Sequence, residues 1–145
     1  MLRKYYFAYG SNMDWEQMSK RCPEAEFVSV GTISGWRFQI NARGVATIIP
    51  ESGSTVYGIV WCLSEADERS LDSYEGVRNG LYTKRTMEVR LSDGQSVKAF
   101  AYVAKDSQPG TARPGYMRII LSAARSNAFP SSYIQELQRW CTTDE

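Results

Sequence analysis

Thr86-Met87-Glu88-Val89-Arg90-Leu91 alternates apolar and polar side chains, and Ser92-Asp93-Gly94 interrupts it. Met87, Val89 and Leu91 face one way; Thr86, Glu88 and Arg90 face the other. Asp93-Gly94 suits a tight hairpin turn, and residues 97–103 return as the partner strand. A half-buried antiparallel pair of this kind belongs to a bent sheet or small barrel, not to a doubly wound parallel sheet.

The segments to either side extend that pattern. Residues 27–33 and 36–40 read as two strands around Ser34-Gly35. Residues 45–49 and 56–63 read as another pair, with Ser52-Gly53-Ser54 as their turn. The 56–63 run is apolar on both faces, which predicts a central strand. Residues 5–9, Tyr-Tyr-Phe-Ala-Tyr, form a short buried strand that stops at Gly10.

Helical signals fall between and after the strands. A short helix over 14–21 has Asn12 or Asp14 as its cap, with Cys22-Pro23 ending it. Ser64 with Asp67 predicts a capped helix running to about Tyr74. After Gln108-Pro109-Gly110 the period changes. Tyr116, Ile119, Ile120, Ala123 and Ala124 then share one helical face. A last helix over 133–141 turns Ile134, Leu137 and Trp140 inward, with Ser132 and Gln135 as its capping box. The expectation is α+β: six or seven strands in a small bent antiparallel or mixed barrel with three or four peripheral helices.

The chain has 145 residues, which predicts a single domain over 1–145. A hydrophobic fraction of 43% supports a packed core and excludes disorder as the main description. Seventeen basic residues against sixteen acidic ones argue against a protein that works by neutralising many phosphates, so no nucleic-acid partner is expected. No apolar stretch approaches a membrane span, and the aromatic run at the N-terminus is too short for a signal peptide. Three cysteines, widely spaced, fit buried thiols in a reducing compartment. A soluble, cytoplasmic protein without membrane contact, as monomer or homodimer, is expected.

Histidine is absent. The chain therefore holds no Ser-His-Asp triad, no Cys-His dyad and no histidine-ligated metal. No cofactor or metal is expected. Three places remain for chemistry. The first is Tyr9-Gly10-Ser11-Asn12-Met13, at a strand-to-helix turn. Its N–H groups make either an anion cradle or an ordinary capped turn. Ser11 as a nucleophile would need an unusual base such as Lys4.

The second place is Leu71-Asp72-Ser73-Tyr74-Glu75-Gly76-Val77 with Gly80-Leu81-Tyr82. Glu75 stands at the negative pole of a helix, beside Tyr74 and Tyr82. Pole and burial together raise its pKa toward the range of a general acid and base, which takes roughly 3 kcal/mol of environment. A solvated Glu before a capping glycine is the plainer alternative. The third place is Arg113-Pro114-Gly115-Tyr116, which brings a phenol either to a pocket mouth or into the core.

Taken together, these stretches resemble the γ-glutamylcyclotransferase-like family. The matching residues are Tyr5 to Met13, Val45-Ala46-Thr47-Ile48-Ile49, Val56-Tyr57-Gly58-Ile59-Val60-Trp61 and Leu71 to Val77 with Gly80 and Tyr82. Tyr116, Ile119-Ile120, Asn127, Pro130 and Tyr133 also fit, so the likeness spans about residues 4–137. The length of the second segment looks closer to the branch acting on γ-glutamyl amino acids than to the shorter AIG2-like branch. Two stretches depart from the family pattern. Ser122-Ala123-Ala124 stands where many members have Gly-Ala, and Asn127-Ala128-Phe129-Pro130 replaces Asn-Gly-Leu-Pro.

The resemblance implies a small mixed barrel and cyclisation of a γ-glutamyl amine or amino acid to 5-oxoproline with release of the free amine. Glu75 would match the acid/base carboxylate. Tyr9, Gly10, Ser11, Asn12 and Met13 would match the substrate-holding loop, and Tyr82 and Tyr116 the pocket tyrosines. The alternative on the same fold is a non-catalytic module that senses a small carboxylate.

Overall fold

The computed structural model describes residues 3–141. Its strands are β1 (Lys4–Ala8), β2 (Glu26–Ile40), β3 (Ala46–Leu63), β4 (Tyr82–Leu91) and β5 (Ser96–Ala104). They close a barrel in the order β1-β3-β2-β4-β5. All neighbours are antiparallel except β1 and β5, which meet in parallel at the pair Tyr6 and Phe100. The helices are α1 (Trp15–Arg21), α2 (Glu65–Tyr74), α3 (Tyr116–Ser126) and α4 (Ser131–Gln138), and a short 3-10 turn covers Ser11–Met13.

The β4–β5 hairpin forms at Asp93-Gly94 as the alternation predicts, with Met87 and Val89 buried. The other two expected hairpins do not form. Residues 27–40 lie in one strand and 46–63 in another, so the described residues form five strands in place of six or seven. Ser34-Gly35 and residues 51–54 lie opposite each other within the β2–β3 pair, where the register jumps from Ser34–Thr55 to Trp36–Pro50. Gly35 and Gly53 adopt φ +84° and +85° there. A glycine at positive φ serves a bulge as well as a turn, and here both glycines bend a long ribbon. The chain reverses instead at 41–45, where the Asn41 side chain accepts from the N–H of Arg43 at 3.0 Å and of Val45 at 3.3 Å.

The caps of the first two helices follow the sequence closely. Asp14 accepts from Gln17 N at 2.9 Å, and Ser64 from Asp67 N at 3.2 Å. The last two helices differ more. α3 buries Met117, Ile120, Leu121, Ala123 and Ala124, while Ile119 is exposed, so its inward face is turned from the expected one. α4 starts at Ser131 after Pro130, whose fixed φ sets the start without a side-chain cap. Ser132 and Gln135 therefore form no capping box, and the helix ends at Gln138. Tyr133 and Leu137 are its buried residues, with Ile134 and Trp140 only partly covered.

Phe7, Phe38, Ile40, Ile48, Ile59 and Trp61 are fully buried in the sheet. α3 packs against the 3-10 turn and α4. It ends in a Schellman motif: Phe129 N donates to Ala124 O at 3.0 Å, and Ala128 N to Arg125 O at 3.1 Å. The left-handed position is Ala128, at φ 55°, where the resembling family has glycine. Phe129 in turn packs on Tyr57 and Tyr133, with ring centroids 5.6 and 6.0 Å away. Replacing Ala128→Gly is expected to relieve left-handed strain and stabilise the fold by about 1 kcal/mol. Urea unfolding measures this; an unchanged midpoint would show that the cap tolerates a Cβ without cost.

Candidate active site

The 3-10 turn that follows β1 and the C-terminal end of α2 face each other across a cavity of about 270 Å³. Gly10 begins the turn. Its φ of −118° is open to any residue, so close packing explains the glycine: a Cβ there would stand 3.2 Å from the Cβ of Ala46. Met13 N donates to Gly10 O, and Asp14 N to Ser11 O. The N–H groups of Ser11 and Asn12 come first in the turn and have no carbonyl within it to reach.

Glu75 is the C-cap of α2. A second Schellman motif fixes it: Gly76 N donates to Ser73 O at 3.2 Å, and Val77 N to Asp72 O at 3.1 Å. Gly76 takes the left-handed position at φ 66°. The motif aims the Glu75 side chain into the cavity. Burial pushes its carboxyl from 4.5 up to about 7, against the pull of Arg21 and Arg43. Tyr74 lines the same cavity. That ring is 63% exposed and lies under the Arg21 guanidinium, 4.0 Å away.

Asn12 joins the two sides. Its Nδ2 donates to Tyr6 Oη at 2.9 Å and, more distantly, to Glu75 Oε1 at 3.4 Å. Its Oδ1 accepts from Arg21 at 2.7 Å and Gln17 at 3.2 Å. Two donors on Oδ1, one cationic and one an amide, leave one orientation for the Asn12 side chain, with Nδ2 toward Glu75. The Trp61 indole donates to the backbone oxygen of Asn12 at 3.1 Å.

The tyrosines are held through Ala46, at the start of β3. Tyr82 donates its hydroxyl proton to Ala46 O at 2.8 Å. Tyr116 Oη accepts from Ala46 N at 3.0 Å, which leaves its own proton for the cavity. Tyr9 donates to Tyr102 O, and Tyr102 to Asp72 at 2.7 Å. Burial raises the pKa of Tyr6, Tyr9, Tyr82, Tyr102 and Tyr116, so all are neutral phenols.

Of the residues singled out from sequence, Tyr9, Gly10, Ser11, Asn12, Glu75, Tyr82 and Tyr116 line this cavity. Met13 does not: it is buried, and its N–H is held by Gly10 O. Lys4 pairs with Glu68 at 3.3 Å and stands outside the cavity lining. Ser11 Oγ accepts from Gln17 at 2.8 Å, and no base is hydrogen-bonded to it among the described residues. Tyr6, Tyr102, Arg21 and Arg43 also line the cavity and were not read from the sequence. Tyr6 carried a signal, standing two residues before the β1 end; the arginines carried none.

The AIG2-like family model matches residues 55–137. The human protein curated as gamma-glutamylcyclotransferase is 30% identical, over 92% of this chain and 76% of its own length. The mouse protein of the same name is 29% identical over the same shares. A solved gamma-glutamyl cyclotransferase structure superposes with a TM-score of 0.90 at 28% identity, covering 99% of this chain and 91% of that one.

The raised pKa of Glu75 makes stability depend on pH. Between about 4.5 and about 7 the folded chain keeps a proton that the unfolded chain has lost. Stability contributed by the neutral carboxyl is therefore complete at low pH and is lost as pH rises through that window. A glutamine at this position has no such dependence, so Glu75→Gln is expected to gain roughly 2–3 kcal/mol on the wild type between pH 4 and pH 8. Urea titrations at both pH values test this, and a constant difference would place Glu75 at its ordinary pKa.

Proposed function

The chain belongs to the γ-glutamylcyclotransferase family and carries that enzyme activity, and we propose that it does so with Glu75 as its single general acid and base. The supporting observation is one largely buried carboxyl, near neutrality, at the wall of a cavity lined by fixed hydrogen-bonding groups. The substrate is a γ-glutamyl amino acid or amine, and the products are 5-oxoproline and the free amine.

The nucleophile is the substrate's own α-amine. It attacks the γ-carbonyl carbon, forming the C–N bond of a five-membered lactam. The tetrahedral intermediate then breaks its bond to the leaving nitrogen. Holding the glutamyl chain curled supplies roughly 7–11 kcal/mol of the barrier by orientation alone. The remaining task is two protons. Glu75 takes the first from the ammonium, which frees the lone pair that attacks, and returns it to the departing nitrogen. It takes the second from the ring nitrogen and passes it to the released amine, which leaves as an ammonium ion, so no water is consumed and the enzyme ends as it began. A carboxyl near pH 7 suits both transfers, worth about 10²–10⁴-fold.

The surrounding groups divide the other work. The N–H groups of Ser11 and Asn12 are donors for the α-carboxylate or for the developing oxyanion. Tyr116 has a free hydroxyl proton and donates. Tyr82 has given its proton to Ala46, so it offers the substrate ammonium a lone pair. Cys22 and Cys62 are free thiols, which supports a reducing, cytoplasmic setting.

The test is 5-oxoproline release from a panel of γ-glutamyl amino acids and amines. Glu75→Gln is expected to fold and to lose about 10²–10⁴-fold in kcat. Tyr82→Phe, which removes an acceptor and not the proton carrier, is expected to lose less. Near wild-type turnover by Glu75→Gln would overturn the assignment; equal losses would bring Tyr82 into the proton path.

A further inference from the structure

Three guanidinium groups line the cavity, from Arg21, Arg43 and Arg113, and Glu75 is the one acid among its described lining residues. None of the three forms an ion pair among the described residues, although arginines elsewhere do, such as Arg3 with Glu26 and Arg37 with Glu51. Arg21 is engaged by Asn12 and Tyr74. Arg43 and Arg113 are different. Both are exposed, and both sit at the rim.

That rim is built. Arg43 belongs to the 41–45 reversal that Asn41 holds from within. The segment before α3 is tied to it by Gly110 N to Ile40 O at 2.9 Å and Arg113 N to Gly44 O at 3.2 Å. The Arg113 Nε then donates to Arg43 O at 3.0 Å. This bond fixes the plane of the Arg113 fork and leaves its terminal N–H groups without a protein acceptor among the described residues. One oriented guanidinium, Arg113, and a second cation, Arg43, thus line the exposed side of the cavity, and no carboxylate of the described residues pairs with either.

The reaction proposed above sets which part of a substrate meets them. The Ser11 and Asn12 N–H groups proposed for the glutamyl end lie at the 3-10 turn, so with that end held there the leaving amine points toward the open rim. We infer that Arg43 and Arg113 are specificity-determining residues that select a leaving amine carrying a carboxylate, and favour an acidic amino acid over a neutral one. The inference rests on the cyclotransferase reading of the cavity. A planar fork pairs well with a carboxylate, and a second cation beside it accommodates a second acidic group.

The test compares three substrates that share the glutamyl end: γ-glutamyl-glutamate, γ-glutamyl-alanine and γ-glutamyl-ethylamine. Ethylamine is alanine without its carboxylate. The quantity read is the ratio of kcat/KM values, compared between proteins, which cancels the intrinsic difference in leaving-amine basicity. In the Arg43→Gln, Arg113→Gln double variant the alanine-to-ethylamine ratio is expected to fall about tenfold, and the glutamate-to-ethylamine ratio further. Removing Arg43, which pulls on Glu75, alters turnover of all three substrates alike and so cancels in the ratios, while an unchanged circular dichroism spectrum shows that the variant is folded. Arg85→Gln removes a charge on another wall, where Arg85 lies over Trp36, and is expected to leave both ratios unchanged. Unchanged ratios in the double variant would overturn the selection, as would an equal fall in Arg85→Gln, while the cyclotransferase reading would stand. No release from any of the three by the wild type would overturn that reading itself, and this inference with it.

Discussion

The site depends on one buried amide. Asn12 is almost wholly removed from water, and each of its polar atoms must find a partner inside the fold. It finds them in α1, in β1, in β3 and at the end of α2. An unpaired amide in that position would cost on the order of 1–3 kcal/mol for each lost partner. The bonds therefore do more than tie elements together. They admit one orientation of the side chain, and through it one placement of the first helix against the second. Glu75 inherits its surroundings from that arrangement. The carboxyl is removed from water by the close approach of the elements that Asn12 joins, while Arg21, held by the same amide, keeps it from becoming fully neutral.

What the sequence made legible was local chemistry. Ser64 and Asp14 cap as short polar side chains do, and Gly76 ends α2 because only glycine enters the left-handed region freely. These rules act within a few residues and need nothing from the rest of the chain. The β4–β5 hairpin was legible for the same reason. The β2–β3 ribbon was not. Gly35 and Gly53 have the backbone freedom of a turn, and nothing nearby distinguishes a turn from a bulge. The difference lies in which strand each glycine faces, and that is decided across the barrel.

The candidate site divides along the same line. Glu75 and the Tyr9–Asn12 loop are marked by neighbours in sequence. Arg113 stands in a stretch already marked by Tyr116, whereas Arg21 and Arg43 come from a helix end and a chain reversal, and only folding gathers the three. A scattered arginine carries no local sign of where it will stand, whereas its lack of an ion pair among the described residues is plain once the fold is known. Met13 shows the converse. It shares the loop of Ser11 and Asn12, yet the 3-10 turn directs it away from the cavity into the core.

The barrel closes through one parallel pair, Tyr6 with Phe100, joining segments almost a hundred residues apart. Contacts of such long range form late, because the intervening chain must already be ordered before its ends can meet. Tyr6 is also the residue that receives the Asn12 amide, so the seam and the site share a side chain. An open sheet, with β1 detached from β5, would take from Tyr6 the Phe100 ring stacked on it at 5.2 Å. A change at Phe100, on the far side of the seam, is thus felt in the site through Tyr6, although Phe100 lies outside the cavity lining.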